Sequence, residues 1–222
     1  MAVMTGDKPY RTAQEALTRV KNIFCVGRNY RDHAAELGND VPTKPMIFGK
    51  STHALAVADG VVRVPAEREN VHHELEIVLW MKGAYQPGAA LSDVVGGIAL
   101  GLDLTDRDAQ TALKKAGQPW EFAKGFQGSA VVTDFYEVAD WNALLETPFE
   151  LRINGRIAQS GRAKDMIFPF DTLIGYVRTH FGLDADDLLF TGTPAGVGPL
   201  RDEDELELVM DGRVWGRCRV AK

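Results

Sequence analysis

Short apolar runs separated by polar, glycine or proline breaks dominate the chain. Runs at residues 23–26, 46–48, 54–57, 61–64, 71–81, 94–104, 130–133, 149–153, 187–190, 205–210 and 214–220 read as strands. Asn154-Gly155 and Asp211-Gly212 follow two of them and predict hairpin turns, since both dipeptides tolerate positive φ at successive positions. Helical signals are fewer. Thr12 with Glu15 forms a capping box that opens a short helix over 12–21. Asn29 can cap a second over 30–37, with Asp32 in its first turn and Gly38 as its stop. A third is expected to start at Thr105, with Asp108 three residues on, and to run through Leu113 to a stop near Gly117. Residues 173–181 have helical spacing. Many strands with irregularly inserted helices predict an α+β, β-rich mixed-sheet domain rather than a doubly wound fold. Residues 1–22 read as an N-terminal segment with a short helix, and 23–222 as the main domain.

Two acidic residues, Glu74 and Glu76, interrupt the apolar run at 71–81. On a continuous strand both carboxylates point to one face. Two like charges that close, within a segment that tends to be buried, repel and lose hydration unless a cation or donors lie between them. A divalent metal resolves the conflict most simply; a wet sheet face is the bland alternative. Asp103, at the end of the apolar run at 94–104, supplies a third carboxylate. Mg²⁺ and Mn²⁺ favour oxygen ligands and leave positions to water or substrate, so Glu74, Glu76 and Asp103 make a sensible open site. Zinc fits less well: His73-Glu74 begins an H-E-x-x-H pattern that fails at Ile77, and no Cys-x-x-Cys occurs.

Next to Asp103, the expected helix N-terminus favours anions, and Arg107 and Gln110 share one face of it unless both are plain solvated surface. The glycine-rich stretch 191–199 lacks the G-x-G-x-x-G order; its small residues suit either an anion-binding nest or a plain turn. Gly49-Lys50-Ser51 resembles the end of a P-loop, but Lys44 stands where the earlier glycine is required.

Composition narrows the picture. With 222 residues and 45% hydrophobic content, the chain can bury one substantial core. A net charge of −6 and the lack of a long basic run argue against nucleic acid or an anionic membrane as partner. Two cysteines, Cys25 and Cys218, exclude a disulfide framework. No signal-like apolar region opens the chain and no run approaches the roughly 20 residues of a membrane span, so a soluble cytoplasmic protein is expected.

Five motifs in order carry a family resemblance: Gly27-Arg28-Asn29-Tyr30-x-x-His33-x-x-Glu36, His73-Glu74-x-Glu76, Leu102-Asp103-x-Thr105-x-Arg107-Asp108-x-Gln110, Pro119-Trp120-x-x-Ala123-Lys124-x-Phe126 and Thr191-Gly192-Thr193-Pro194-x-Gly196-Val197-Gly198. From Ile23 onward the chain resembles the fumarylacetoacetate hydrolase family, specifically short members that handle acylpyruvates and oxaloacetate. It departs at Lys50-Ser51, where many relatives have proline after the lysine. The resemblance implies a catalytic domain of that fold over 23–222, a homodimer, and Glu74, Glu76 and Asp103 as ligands of Mg²⁺ or Mn²⁺. It implies a small 2-oxo acid or 1,3-dicarbonyl substrate, which can chelate a hard cation and develop enolate charge there. His33 and Glu36, three apart on a short helix, are then the base and its orienting carboxylate. Lys124 becomes a substrate or oxyanion contact beside Arg107, Gln110 and Thr193, and Arg28, Tyr30 and Lys50 are candidates for carboxylate binding or lid contacts. Hydrolysis of the carbon–carbon bond of acylpyruvates is the leading expectation. Oxaloacetate tautomerisation or decarboxylation, or 2-hydroxy-diene-dioate isomerisation, could use the same groups, and a catalytically silent 2-oxo acid sensor is the remote alternative.

Overall fold

In the computed structural model, which describes residues 3–36, 38, 40–86 and 88–222, the apolar runs assemble into three sheets. The largest has seven strands in the order Met46–Lys50, Ile23–Gly27, Leu188–Phe190, Leu75–Met81, Val95–Asp103, Ala130–Val132 and Leu55–Val57, with parallel and antiparallel neighbours mixed. Leu75–Met81 and Val95–Asp103 pair antiparallel, and every residue of both is buried. Alternation sends Ile77, Leu79 and Met81 into one apolar cluster and Val78 and Trp80 into another. A strand covered on both faces reads as a continuous apolar run, which explains the sequence pattern.

Helix Ala13–Arg19 covers the Trp80 face through Ala13 and Ala16. On the other face lie Leu173, Ile174 and Val177 of helix Phe170–Phe181 and a five-stranded sheet. That sheet runs in the order Arg156–Arg162, Pro148–Ile153, Glu205–Met210, Arg213–Ala221 and Asp59–Arg63. Gly198–Pro199, Val71–His73 and Thr105–Asp106 form a small third sheet. The architecture is the expected α+β mixed-sheet fold. Among the described residues, no helix is long and apolar enough to cross a membrane.

Local chemistry matches several expectations. Thr12 and Glu15 exchange capping-box hydrogen bonds of 3.2 and 2.9 Å. Both hairpin dipeptides have two positive φ angles, 51° and 76° at Asn154-Gly155 and 50° and 74° at Asp211-Gly212. Gly117 closes its helix in the left-handed region.

Four expectations need correction. The run at 71–81 is two strands, Val71–His73 and Leu75–Met81, in different sheets, with Glu74 at the break. Strand alternation therefore does not explain how Glu74 and Glu76 meet. The third helix is Arg107–Ala116, capped by Asp106, whose Oδ1 accepts from the Ala109 N–H at 3.0 Å, because Thr105 is paired in the small sheet. The second helix is Arg31–Glu36, and Leu37 lies outside the described residues. Asn29 does not cap it; its amide donates to the carbonyls of Thr191 and Phe168 at 2.7 and 3.1 Å and accepts from Phe168 N–H at 2.8 Å. Finally, the strand expected from residue 54 starts at Leu55, after a 3-10 turn over Thr52–Ala54. Strand Arg156–Arg162, at the edge of the five-stranded sheet, escaped the pattern because only Gln159 among its side chains is buried.

Candidate active site and metal centre

The break at Glu74 is held by one side chain from a distant strand. Gln159 accepts from Leu75 N–H at 2.9 Å and pairs with His73 Nδ1 at 2.8 Å, gripping the chain on both sides of Glu74. Its amide donates to Thr193 Oγ1 at 2.8 Å and to the Pro194 carbonyl at 2.9 Å. Glu74 is thereby turned toward Glu76, the second residue of its strand, and Asp103, the last of the neighbouring strand. Ligand oxygens of the three lie within 4.8 Å of one another, and all three residues are buried.

Cations surround this triad unevenly. Lys124 Nζ stands 2.6 Å from both Glu74 Oε2 and Asp103 Oδ2, Arg107 Nη2 is 2.7 Å from Glu74 Oε1, and Lys50 Nζ is 2.7 Å from Asp103 Oδ1. Burial pushes the Glu74 carboxyl up, but Lys124 and Arg107 outweigh it and hold the group well below the usual carboxylate range. Burial likewise disfavours the Lys124 ammonium, yet Asp103 and Glu74 raise it above the ordinary lysine value, so it stays charged. Among the described residues Glu76 has no such ion pair. It accepts the Gly192 N–H at 2.7 Å, and burial with the neighbouring charges of Asp103 and Glu74 drives its carboxyl well up. An all-oxygen set in which one member lacks a cation fits a hard divalent ion.

Two of the three carboxylates, Glu74 and Glu76, line a cleft, while Asp103 is buried and outside its lining. Glu74, Glu76, Lys124, Arg107, Gln110, Thr193, His33 and Arg28 all line it, together with Lys114, Met46, Phe48 and Trp120, which the sequence reading did not single out. Arg107 Nη1 donates to Gln110 Oε1 at 2.8 Å, so their shared helix face is real and turned inward. His33 Nδ1 lies 3.3 Å from Glu36 Oε2. A carboxylate can only accept, which places the hydrogen on Nδ1 and leaves the Nε2 lone pair free. Burial lowers the His33 pKa against the opposing pull of Glu74 and Glu36, keeping the imidazole neutral near pH 7.

Two other candidates lie behind the cleft rather than in its lining. Lys50 is sealed beneath Asp103, its ammonium also within hydrogen-bonding distance of the carbonyls of Leu104, Ser129 and Lys124 and of Ser129 Oγ. Tyr30 is 3% exposed and packs edge-on against Phe149 at 6.5 Å. The glycine-rich stretch acts as a nest for the protein's own anions: Gly192 N–H serves Glu76 and Gly196 N–H serves Glu36 at 3.1 Å. Both glycines have positive φ, 98° and 95°, and a Cβ would strike Asn29 at the first and the Ala158 carbonyl at the second.

Comparison with known proteins agrees with this geometry. A family model described as the C-terminal region of fumarylacetoacetate hydrolase matches residues 22–221. The chain belongs to the fumarylacetoacetate hydrolase family. Within this enzyme family, the chain is 42% identical over 207 residues to mitochondrial oxaloacetate tautomerase FAHD1 of Mus musculus, covering 91% of this chain and 92% of that one. It is 38% identical to oxaloacetate tautomerase YcgM of Escherichia coli K12, covering 87% and 90%. Fumarylpyruvate hydrolase of Pseudomonas aeruginosa, solved with Mn²⁺ and pyruvate, superposes with a TM-score of 0.82 at 31% identity, covering 91% and 90%. In this family member the buried triad and its cleft could thus hold a divalent metal.

Proposed function

We propose that this chain is a divalent-metal-dependent enzyme that interconverts the enol and keto forms of oxaloacetate. The observation that carries the reading is one neutral imidazole, His33, in the same cleft as Glu74 and Glu76, two members of a carboxylate triad that suits a hard cation. Held by Glu74, Glu76 and Asp103, Mg²⁺ or Mn²⁺ would supply a Lewis-acid centre that favours the enolate form of a 2-oxo acid. Tautomerisation moves one proton between C3 and the oxygen on C2. Lys124 remains an ammonium and cannot accept it, whereas His33 can take a proton at Nε2 and return it to C3. Glu36 keeps the ring in the accepting tautomer and stabilises the imidazolium when it forms. Lys124, Arg107, Gln110 and Thr193 line the cleft where the 2-oxo carboxylate would lie, and the first two would offset its charge. The names of the tautomerase relatives support this choice of reaction.

A second reading is hydrolysis of acylpyruvates. The His33–Glu36 pair favours it, since the same base can activate water, and the fumarylpyruvate hydrolase relative supports it. One assay separates the two. Purified protein with Mg²⁺ or Mn²⁺, and EDTA controls, is given enol-oxaloacetate and acetylpyruvate. Metal-dependent loss of the enol without acetylpyruvate cleavage is the expected result. Release of pyruvate and acetate instead assigns the chain to hydrolysis, and inertness toward both sinks the proposal.

A further inference from the structure

Lys50, Lys124 and Arg107 are each paired with a carboxylate of the triad, but two other cations at the cleft are not. Arg28 and Lys114 both line it, and neither has a carboxylate partner among the described residues. Lys114 stands on the stripe of helix Arg107–Ala116 that already carries Arg107 and Gln110, at spacings of three and four residues. Lys114 is exposed, and its ammonium lies 5.1 Å from the centre of the Trp120 ring, a cation–π contact that favours its position at the rim. Arg28 follows strand Ile23–Gly27 with φ at 58°, in the left-handed region that a long side chain adopts at a cost. Such strain persists where the surroundings over-determine it, and it concentrates at ligand-binding positions.

The two groups also disfavour each other. Burial, followed by the charges of Arg28 and Arg107, pushes the Lys114 ammonium below its ordinary value. A bound anion beside both cations would be attracted by each of them. The inner end of the cleft meets the 2-oxo acid head of a substrate, so a negative group further along the molecule would reach this rim.

We propose that Arg28 and Lys114 form a second carboxylate subsite, which makes the cleft selective for 2-oxo dicarboxylates over 2-oxo monocarboxylates. This inference rests on the triad end being the 2-oxo acid site. Both side chains already face the cleft in the structure, and Lys114 stands beside the Trp120 ring.

The test uses Mn²⁺-loaded protein and calorimetric binding of stable analogues. Malate and 2-hydroxybutyrate chelate through the same 2-hydroxy acid head and differ by a distal carboxylate against a methyl group; oxalate has the head alone. Wild type is expected to bind malate about ten-fold or more tighter than 2-hydroxybutyrate, as for a charge-assisted contact at a partly wet site. Raising the salt concentration should shrink that ratio. Lys114→Met and Arg28→Gln should each reduce the ratio several-fold and together bring it to about one, with oxalate affinity unchanged within about two-fold. A ratio that survives in the double variant, or a parallel fall in oxalate affinity, overturns the subsite. Failure of wild type to bind oxalate overturns the triad reading and this inference together. Normal oxalate binding without turnover of enol-oxaloacetate removes only the proposed reaction, and the malate ratio still decides the subsite.

Discussion

Replacing Gln159 with alanine tests the idea that one amide aims Glu74. The side chain is 1% exposed and makes four hydrogen bonds, to His73 Nδ1, Leu75 N–H, Thr193 Oγ1 and the Pro194 carbonyl. The Thr193 hydroxyl, which accepts from the Gln159 amide, keeps its own hydrogen to donate, but the Leu75 N–H and the Pro194 carbonyl are fixed in the backbone. Each stranded backbone group costs about 1–3 kcal/mol, and the vacated volume adds to this unless water enters and recovers part of it. A loss of about 2–5 kcal/mol follows. With a urea m-value of about 3 kcal/mol/M, the unfolding midpoint should drop by about 0.7 M or more. Unfolding is best followed in EDTA, so that folding is separated from metal binding, and Mn²⁺ affinity is then measured by calorimetry on the folded variant. That affinity should fall, because Glu74 sits between the two clamped residues. A midpoint shift below about 0.2 M with unchanged Mn²⁺ affinity would refute the clamp.

Three further outcomes are expected. His33→Gln should lower turnover by about 10²–10⁴ while leaving Mn²⁺ and oxalate binding within about two-fold; undiminished turnover would remove His33 as the proton carrier. Because burial sets the folded-state pKa of His33 below the ordinary histidine value of 6.5, the acid limb of kcat/KM should lie below that pH and vanish in the variant. The sign for stability agrees: the unfolded chain binds the proton first, so the contribution of His33 is present above 6.5 and lost as the pH falls toward the lowered folded value. Glu76→Gln is nearly isosteric with the protonated carboxyl that burial and its neighbours favour, so stability in EDTA should change by less than about 0.5 kcal/mol. The same variant should lose the metal-induced stabilisation, about 2.7 kcal/mol for wild type at one hundred times Kd, and retention of the metal effect would sink the triad. Cys25 and Cys218 are buried, and burial pushes their thiols up, Cys218 to about 12; iodoacetamide at pH 8 should label neither until urea is added, and fast native labelling would contradict the packing.

Signals that depend on near neighbours were legible before any tertiary contact was known. The Thr12–Glu15 box, the Asn154-Gly155 and Asp211-Gly212 turns and the apolar core strands are set by residues a few positions apart. Errors arose where a distant partner overrode the local pattern. The periodicity at 71–81 cannot register Gln159, 84 residues from Leu75, whose hydrogen bonds hold the break. Asn29 looks like a helix cap by type and position, yet its amide is used on residues 139 and 162 positions away.

By itself, the sequence determined which chemistry was available: three carboxylates in apolar segments, a His-x-x-Glu pair and a lysine beside aromatics. Those residue types could be read because a buried charge in an apolar run carries a large energetic penalty that demands a partner. Only the tertiary structure decided which partner each one has. It placed Lys50 under Asp103, spread Lys124 between Glu74 and Asp103, withdrew Tyr30 into the core, and left Arg28 and Lys114 at the rim with no carboxylate partner among the described residues. The physical reason is that ion pairs and hydrogen bonds act over a few ångströms in space, while the groups they join here lie tens of residues apart in the chain.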